Sequence, residues 1–253
     1  MNIFNLEGKT VLITGGSSGI GRGIAKTLSK VGVKVIITGR NQNKLNSITQ
    51  DNPNLIAIKM DVTDKNSISN AIKNLEQRNI IIDICINSAG TNSDTLLFTG
   101  DDNNFEEVHN TNLFGVWNVT KQVSKHMKQN KIKGSIINIS SVRGLNKFRS
   151  DMAAYCTSKA AVIQLTNTLV SELAEANIRI NCIAPGLFKT PLTEHYIDTE
   201  EKKEEVRNNI PLKFIAEPED MAGTILYLAS NSASRYVTGA CIVIDGGITS
   251  KSQ

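Results

Sequence analysis

The stretch TVLITGGSSGIG, residues 10–21, decides the fold. Its first five residues are β-branched or apolar and predict a buried strand, and helical spacing follows the glycines at Ile24, Ala25 and Leu28. Glycines alone would indicate only a tight turn. Between a strand and a helix, however, a glycine-rich turn lets backbone N–H groups approach an anion, which the helix dipole favours. This first βα unit therefore predicts a dinucleotide pyrophosphate site, whose candidate residues are Gly15, Ser17, Ser18, Gly19, Ile20 and Gly21.

Six further short runs rich in β-branched residues alternate with longer polar stretches along the chain. Their near-continuous apolar character predicts strands covered by helices on both faces of a sheet. The stretches between them are long enough for right-handed helical crossovers. We therefore predict one domain over residues 1–253, an α/β fold of the doubly wound Rossmann type with a seven-stranded, mainly parallel sheet. The six runs are Val33 to Thr38, Leu55 to Met60, Ile80 to Asn87, Ser135 to Ser140, Arg179 to Ala184 and Cys241 to Asp245.

Composition and charge exclude several function classes. The chain has 28 Lys and Arg residues against 24 Asp and Glu residues, and a net charge of +4 over 253 residues is too dilute to indicate nucleic-acid binding. The four cysteines form no CxxC pair, and His109, His126 and His195 have no ligand spacing, so neither a disulfide framework nor a metal site is expected. The sequence contains no run of 18 apolar residues. We expect a cytoplasmic protein that binds no metal, membrane or nucleic acid.

Arg40 follows the second predicted strand, close to the position where NAD-binding folds place an acidic residue on the ribose 2′-hydroxyl. Neither Asp nor Glu stands there. A guanidinium group suits a 2′-phosphate instead, so NADP is favoured as the cofactor, with NAD as the alternative. Arg40 could equally be a solvated residue beside Asn41.

Tyr155 and Lys159 are one helical turn apart, so they share a helix face that continues as an apolar stripe. An ammonium group in line with such a stripe is costly to bury unless it has a partner or a task. Beside a phenol it would lower the pKa of Tyr155 toward neutral pH, which makes Tyr155 a candidate general acid or base. The alternative is an interfacial tyrosine beside a lysine that reaches for water. Ser141 follows a predicted strand, at the sheet edge where parallel sheets place their sites.

Asn112 interrupts another apolar face. Apolar residues at spacings of three and four predict a helix from Asn103 to Asn130, and Asn112 lies on its apolar face between Val108 and Val116. By itself this pattern is typical of a structural asparagine whose amide is satisfied by a backbone carbonyl.

These motifs together resemble the short-chain dehydrogenase/reductase family over nearly the whole chain. The matching segments are the TGxxxGxG pattern at residues 14–21, NSAG at residues 87–90, Ser141 followed by the Tyr155-x3-Lys159 motif, and the Pro185-Gly186 loop. The resemblance implies a catalytic tetrad of Asn112, Ser141, Tyr155 and Lys159, in which Asn112 carries a water of the proton relay and Lys159 also holds the ribose. It implies further cofactor contacts from Asp61, Val62, Asn87, Ala89, Gly90, Pro185, Gly186, Phe188 and Thr190.

Two departures from the family pattern concern the site. Ser88 replaces the second asparagine of the usual NNAG motif, and this change should preserve the backbone turn. The segment from Val142 to Ala154 is about one residue longer than in many relatives, which predicts an unusual substrate wall.

The resemblance implies an NADP-dependent carbonyl reductase or alcohol dehydrogenase. It favours a 3-oxoacyl thioester as substrate, because residues 87–97 and 110–113 are similar to those of bacterial 3-oxoacyl-(acyl-carrier-protein) reductases. A sugar, steroid or small ketone stays open, since this fold serves many substrates. A different class of function is a regulator or scaffold that binds NADP without turnover.

Two further expectations concern the surface. Residues 187–212 have a charged centre and few apolar residues, so we expect a mobile lid over the substrate, and the same segment could also be a solvated surface helix. Residues 103–130 and 155–176 carry more apolar surface than one sheet face needs. Because relatives also pair these helices across a two-fold axis, we predict a homotetramer.

Overall fold

The computed structural model describes residues 2–50, 52 and 54–250, and the strands within them form one seven-stranded sheet. The strands are β1 (Thr10–Thr14), β2 (Lys34–Gly39), β3 (Leu55–Lys59), β4 (Ile84–Asn87), β5 (Ser135–Ile139), β6 (Arg179–Pro185) and β7 (Cys241–Ile244). Their order in the sheet is β3-β2-β1-β4-β5-β6-β7, and each neighbouring pair is parallel. The predicted doubly wound fold is confirmed, with a fully parallel sheet.

Helices cover both faces of the sheet, as the apolar character of the strands predicts. Along β1, Val11 and Ile13 belong to one buried cluster and Leu12 to another, because successive side chains point to opposite faces. The α-helices of the described residues are α1 (Gly19–Ser29), α2 (Gln42–Thr49), α3 (Lys65–Gln77), α4 (Asp102–His109), α5 (Gly115–Gln129), α6 (Ala153–Thr168), α7 (Val170–Glu175), α8 (Glu200–Asn209), α9 (Ala222–Ala229) and α10 (Asn231–Ser234).

Strand β4 begins four residues later than the apolar pattern predicts. Ile80 and Ile82 are buried, but they lie in the connection before the strand. Asp83 directly precedes β4, and its carboxylate accepts hydrogen bonds from the Thr10 backbone N–H at 3.0 Å and from Lys9 Nζ at 2.9 Å. Its backbone already pairs with the neighbouring strands, since the Asp83 N–H donates to the Thr10 carbonyl oxygen at 3.0 Å and the Asp83 carbonyl oxygen accepts from the Ser135 N–H at 3.2 Å.

The helix predicted from Asn103 to Asn130 is interrupted at Asn112. Between α4 and α5, residues Asn110–Phe114 form a single π-helical turn, in which the Gly115 N–H donates to the Asn110 carbonyl oxygen. Such turns are rare and are frequently found at functional sites. The interruption places Asn112 at the carboxyl edge of the sheet while α5 keeps its apolar face on the core.

Residues 187–212 contain the solvated helix that was one of the two expectations for this segment. Thr199 caps the N-terminus of α8 by accepting a hydrogen bond from the Lys202 N–H, and none of the helix residues is buried. Ion pairs run along its surface, including Lys202 with Asp198 at 2.8 Å. In the part of the chain that the structure describes, no helix is long and apolar enough to cross a membrane.

The turns after β1 and β4 meet where the strand order reverses. The Thr14 hydroxyl accepts hydrogen bonds from the backbone N–H groups of Ser88 and Ala89, at 3.1 and 3.0 Å. Gly15 has a φ of +66°, and a Cβ atom there would lie 2.8 Å from the Ala89 Cα. Only glycine fits this contact, and the two turns form a crevice at the carboxyl ends of the strands, where open parallel sheets bind their ligands.

Candidate active site

Ser141, Tyr155 and Lys159 converge on a cavity of about 170 Å³ at this edge of the sheet. Ser141 directly follows Ser140 at the end of β5, and Tyr155 and Lys159 lie one turn apart on α6, as predicted. The Ser141 Oγ accepts a hydrogen bond from the Arg143 N–H at 3.1 Å. This bond leaves the Ser141 hydroxyl hydrogen available as a donor on the side of Tyr155 and the cavity.

Lys159 is an ammonium group held inside the protein. Its side chain is 5% exposed, and its Nζ donates to the Ile139 carbonyl oxygen at 3.0 Å. Burial disfavours the charge and lowers the pKa of Lys159 to about 8. The Ser140 hydroxyl also donates to the Lys159 carbonyl oxygen at 2.7 Å, which fixes α6 against the end of β5.

Tyr155 does not have the lowered pKa that we expect from its neighbour. Burial of the phenol raises the pKa of Tyr155 above its usual value, while a hydrogen bond with Ser141 and the charge of Arg143 act in the opposite direction. The expected effect of Lys159 is weak because its Nζ is bonded to Ile139 and lies 5.6 Å from the centre of the Tyr155 ring. In this structure the phenol of Tyr155 thus keeps its proton at neutral pH.

Asn112 is fully buried, and its amide is satisfied within the protein. The Nδ2 donates to the Thr91 carbonyl oxygen at 2.9 Å and to the Ser158 Oγ at 3.1 Å. The Oδ1 accepts from the Thr91 N–H at 2.8 Å. The side chain thus has the structural role that the sequence alone favours, and it ties the π-helical turn both to α6 and to the turn after β4.

Most of the predicted cofactor residues line the same cavity as the tyrosine and the lysine. They are Gly15, Ser18, Gly19, Ile20, Gly21, Ala89, Gly90, Pro185, Gly186, Phe188 and Thr190. A Cβ atom at Gly21 would lie 2.5 Å from the Gly15 carbonyl oxygen, and Gly19 has a φ of +50°. Side chains at these positions would fill the cradle, so the turn fits a pyrophosphate that approaches the backbone.

Five predicted cofactor residues lie outside this cavity. Arg40 and Asp61 line a separate cavity of about 500 Å³ beside β3. The Asn87 amide donates to Thr120 Oγ1 at 3.0 Å and to Asn138 Oδ1 at 2.8 Å, so the side chain points into the protein. Val62 is buried, and the Ser17 Oγ faces Gly39 at the end of β2.

A second, larger cavity of about 590 Å³ adjoins the first, and Ser141 and Tyr155 line both. Its far wall includes residues of α8, which is the place expected for a substrate lid. Sequence reasoning assigned residues 87–97 and 142–154 to the substrate side, but it did not single out two polar side chains within them, Asn92 and Arg143. Among the described residues no group of histidine, cysteine and carboxylate side chains could hold a metal ion.

The chain matches known proteins along almost its full length. A family model described as Enoyl-(Acyl carrier protein) reductase matches residues 15–249. A 3-oxoacyl-(acyl-carrier-protein) reductase from Thermotoga maritima is 38% identical over 247 residues, which cover 96% of this chain and 98% of that protein.

Solved structures give the same result. A gluconate 5-dehydrogenase from Burkholderia cenocepacia, in complex with NADP and tartrate, is 30% identical with a TM-score of 0.92 and covers 99% of both chains. A 4-hydroxyisoleucine dehydrogenase complexed with NADH is 34% identical with a TM-score of 0.89, and the match covers 96% of this chain and 100% of that one. The parallel sheet, the glycine cradle and these matches show that the chain belongs to the short-chain dehydrogenase/reductase family of NAD(P)-dependent oxidoreductases.

Proposed function

We propose that the protein interconverts a carbonyl group and a secondary alcohol, with NADP(H) as the hydride carrier. The observation that supports this most directly is that Ser141 and Tyr155 stand between the glycine cradle and the larger cavity. A substrate in the larger cavity would thus place its oxygen at these two hydroxyls. When bound, the nicotinamide supplies a hydride in reduction and accepts one in oxidation.

The chain's own residues handle the proton and the charge. In reduction, Tyr155 donates its phenolic proton to the developing alkoxide, and Ser141 donates a hydrogen bond to the same oxygen. Lys159 holds the ribose hydroxyls, and Asn112 keeps the π-helical turn against Ser158. Because burial raises the pKa of Tyr155, the phenol is protonated at neutral pH, and this form suits reduction.

Screening wild-type protein for NADPH oxidation with acetoacetyl-CoA and a panel of ketones tests the proposed reaction. Turnover with at least one of these substrates supports it. A regulator or scaffold would instead give a binding isotherm for NADPH with no turnover of any substrate.

NADP is the proposed cofactor because Arg40 is exposed and forms no hydrogen bond or ion pair with the described residues. Replacing Arg40 with Ala should weaken NADPH binding roughly 10- to 150-fold, since a charge-assisted pair with the 2′-phosphate is lost, and should leave NADH binding almost unchanged. Fluorescence titration with each cofactor measures both affinities.

Arg235→Ala serves as the control for Arg40, because it removes the same charge from an exposed site remote from the cradle. Gly39→Asp should have the complementary effect, since a carboxylate would repel the 2′-phosphate and could accept from the NADH ribose. Its Cβ would lie 3.1 Å from the Ser17 Oγ, a contact that a small rotation of Ser17 relieves. Equal losses for NADPH and NADH in Arg40→Ala would assign Arg40 to the solvated surface.

Two substrate classes have support. A 3-oxoacyl thioester is the first candidate, because the Thermotoga maritima relative carries that activity in its name. A sugar-type hydroxy acid is the second, because the Burkholderia cenocepacia structure is a gluconate 5-dehydrogenase with tartrate bound.

We further propose that residues 187–212 act as the lid of a single domain over residues 1–253, and that the enzyme works in the cytoplasm.

A homotetramer is proposed for the assembled enzyme. The π-helical turn and α5 expose Phe114 and Trp117, and the β7 edge of the sheet exposes Val243, with Tyr236 (99% exposed) in the segment before the strand. These two apolar surfaces suit two different two-fold interfaces, which together build a tetramer. Light scattering at micromolar concentration should give a particle of four 27.5 kDa chains, and a particle of one chain would contradict both interfaces.

A further inference from the structure

Arg143 brings a positive charge to the substrate cavity. It is half-buried two residues after Ser141, and its Nη1 donates to the Lys147 carbonyl oxygen at 2.6 Å. That bond positions the guanidinium without an opposite charge, and Asp151, whose pKa Arg143 helps to lower, forms its ion pair with Arg149. In the described part of the chain no carboxylate lies within ion-pair distance of Arg143, whereas Arg149 Nε donates to the Asp151 carboxylate at 3.0 Å.

The cavity as a whole carries an excess of positive charge. The cationic side chains that line it are those of Arg143, Lys147, Arg149 and Lys202, and Glu205 is its acidic one. Asp151 and Asp198 neutralise two of the cations from outside the cavity. The charge of Arg143 also reaches the reacting group, because it lowers the pKa of Tyr155 against the effect of burial. Because Arg143, Ser141 and Tyr155 line one cavity, an anion bound at Arg143 would share that cavity with the reacting group.

Asn92 supplies a second polar group of the same cavity. Its Oδ1 is inaccessible to solvent and has no hydrogen-bond partner among the described residues. A buried acceptor without a donor is destabilising, and such groups are uncommon unless a ligand or water completes them. Asn92 as a whole is only half-buried, so a rotation of its amide would bring this oxygen into the cavity, where a substrate hydroxyl is a donor that satisfies it.

We propose that the substrate carries an oxyanion bound by Arg143 and a hydroxyl group that donates to Asn92, which makes it a hydroxylated acid or a sugar phosphate. A guanidinium group holds carboxylate and phosphate alike through paired N–H donors. A neutral ketone or a simple 3-oxoacyl thioester offers neither group near its reacting carbon. This inference rests on the proposed carbonyl–alcohol reaction: in oxidation Tyr155 would first release its phenolic proton to solvent, and the phenolate would then take the hydroxyl proton of the secondary alcohol while the hydride passes to NADP⁺, leaving a ketone, NADPH and one proton in solution.

Matched substrates test the charge requirement directly. Aldonates of four to six carbons would be compared with the alditols of the same length, which differ only by a CH₂OH in place of the carboxylate. Sorbitol 6-phosphate tests a phosphate, and acetoacetyl-CoA with NADPH tests the thioester. Wild-type kcat/KM should be roughly 10- to 150-fold higher for the best anionic substrate than for its neutral counterpart, and the carboxylate and phosphate arms show which oxyanion is preferred.

Variants then assign the requirement to the two residues. Arg143→Met should reduce the anionic-to-neutral ratio of kcat/KM to within about threefold of one, and Arg143→Lys should restore part of it because the charge returns. Asn92→Leu should lower kcat/KM for hydroxylated substrates, charged or neutral, more than for acetoacetyl-CoA. Arg235→Met, which removes an exposed charge outside the cavity, should keep the wild-type ratio.

The outcomes separate the two proposals. The substrate inference is wrong if wild-type protein prefers neutral or thioester substrates. It is also wrong if Arg143→Met lowers kcat/KM by the same factor for all substrates, because Arg143 then only supports its loop. Absence of turnover with every substrate in both directions would overturn the proposed reaction itself, and the substrate inference with it.

Discussion

Replacing Tyr155 with Phe should lower kcat by roughly 10²- to 10⁴-fold, the usual contribution of a positioned proton donor. The phenyl ring keeps the shape of the cavity wall and loses only the phenolic hydroxyl that would protonate the alkoxide. NADPH binding should change little, because the cradle and Lys159 are untouched. Single-turnover rates and fluorescence titration of the same variant measure the two effects separately.

Tyr196→Phe is the matched control, since Tyr196 lines the same cavity and its hydroxyl contacts Met152 Sδ at 3.9 Å. It should cost less than about tenfold, because no proton transfer is assigned to it. An unchanged kcat in Tyr155→Phe would remove the tyrosine from the mechanism. A comparable loss in both variants would instead point to the packing of the cavity wall.

Replacing Lys159 with Met should damage catalysis and stabilise the cofactor-free protein at the same time. The ammonium group is proposed to hold the ribose, so NADPH affinity should fall roughly 10- to 150-fold along with kcat. Burying its charge is unfavourable, however, because the pKa falls from 10.5 to about 8 on folding. Such a shift corresponds to about 3 kcal/mol of unfolding free energy below pH 8, which the methionine variant would recover.

The destabilising effect of the buried Lys159 charge should be visible in the pH dependence of the free energy of unfolding. Between pH 8 and 10.5 the unfolded chain holds a proton on Lys159 that the folded chain has released, so the wild-type free energy of unfolding should rise with pH. Lys159→Met should lack this rise, and chemical denaturation without cofactor across that range measures it. If the free energy of unfolding instead falls between pH 8 and 10.5, by the same amount in the wild type and in Lys159→Met, then Lys159 is not a buried charge.

The sheet could be predicted because strands buried on both faces appear in the sequence as short, nearly continuous apolar runs. Each of the seven apolar runs became a strand, and the errors lie at the ends, as with Ile80, which precedes the contact of the Asp83 carboxylate with the Thr10 N–H. Periodicity reports which residues are buried. It does not report hydrogen bonds between distant residues, and this contact joins positions 10 and 83.

The site could be predicted at the level of which residues meet, and less well at the level of what they touch. Tyr155, Lys159 and the glycine turn share one cavity, as their motifs suggest. The acceptor for Lys159, the carbonyl of Ile139, depends on the packing of α6 against β5, which no spacing encodes. Arg143 and Asn92 were missed for a related reason, because loop side chains have no periodic pattern that places them in a cavity.

The π-helical turn at Asn110–Phe114 has a consequence for how this chain tolerates change. Its hydrogen bond spans five residues instead of four, so it contains one residue more than an α-helical turn would need. Each residue of an α-helix advances about 100° around the axis. Deleting any one residue there would make α4 and α5 one continuous α-helix, in which α5 is rotated by that angle relative to α4. Either the apolar face of α5, with Val116, Val119 and Val123, would then turn away from the core, or Asn112 would turn away from Ser158. Loss of a single amino acid at this place should therefore reduce stability and activity more than most substitutions do. The extra residue sets the rotation between α4 and α5, so that α5 packs on the core while Asn112 stays at the catalytic edge of the sheet.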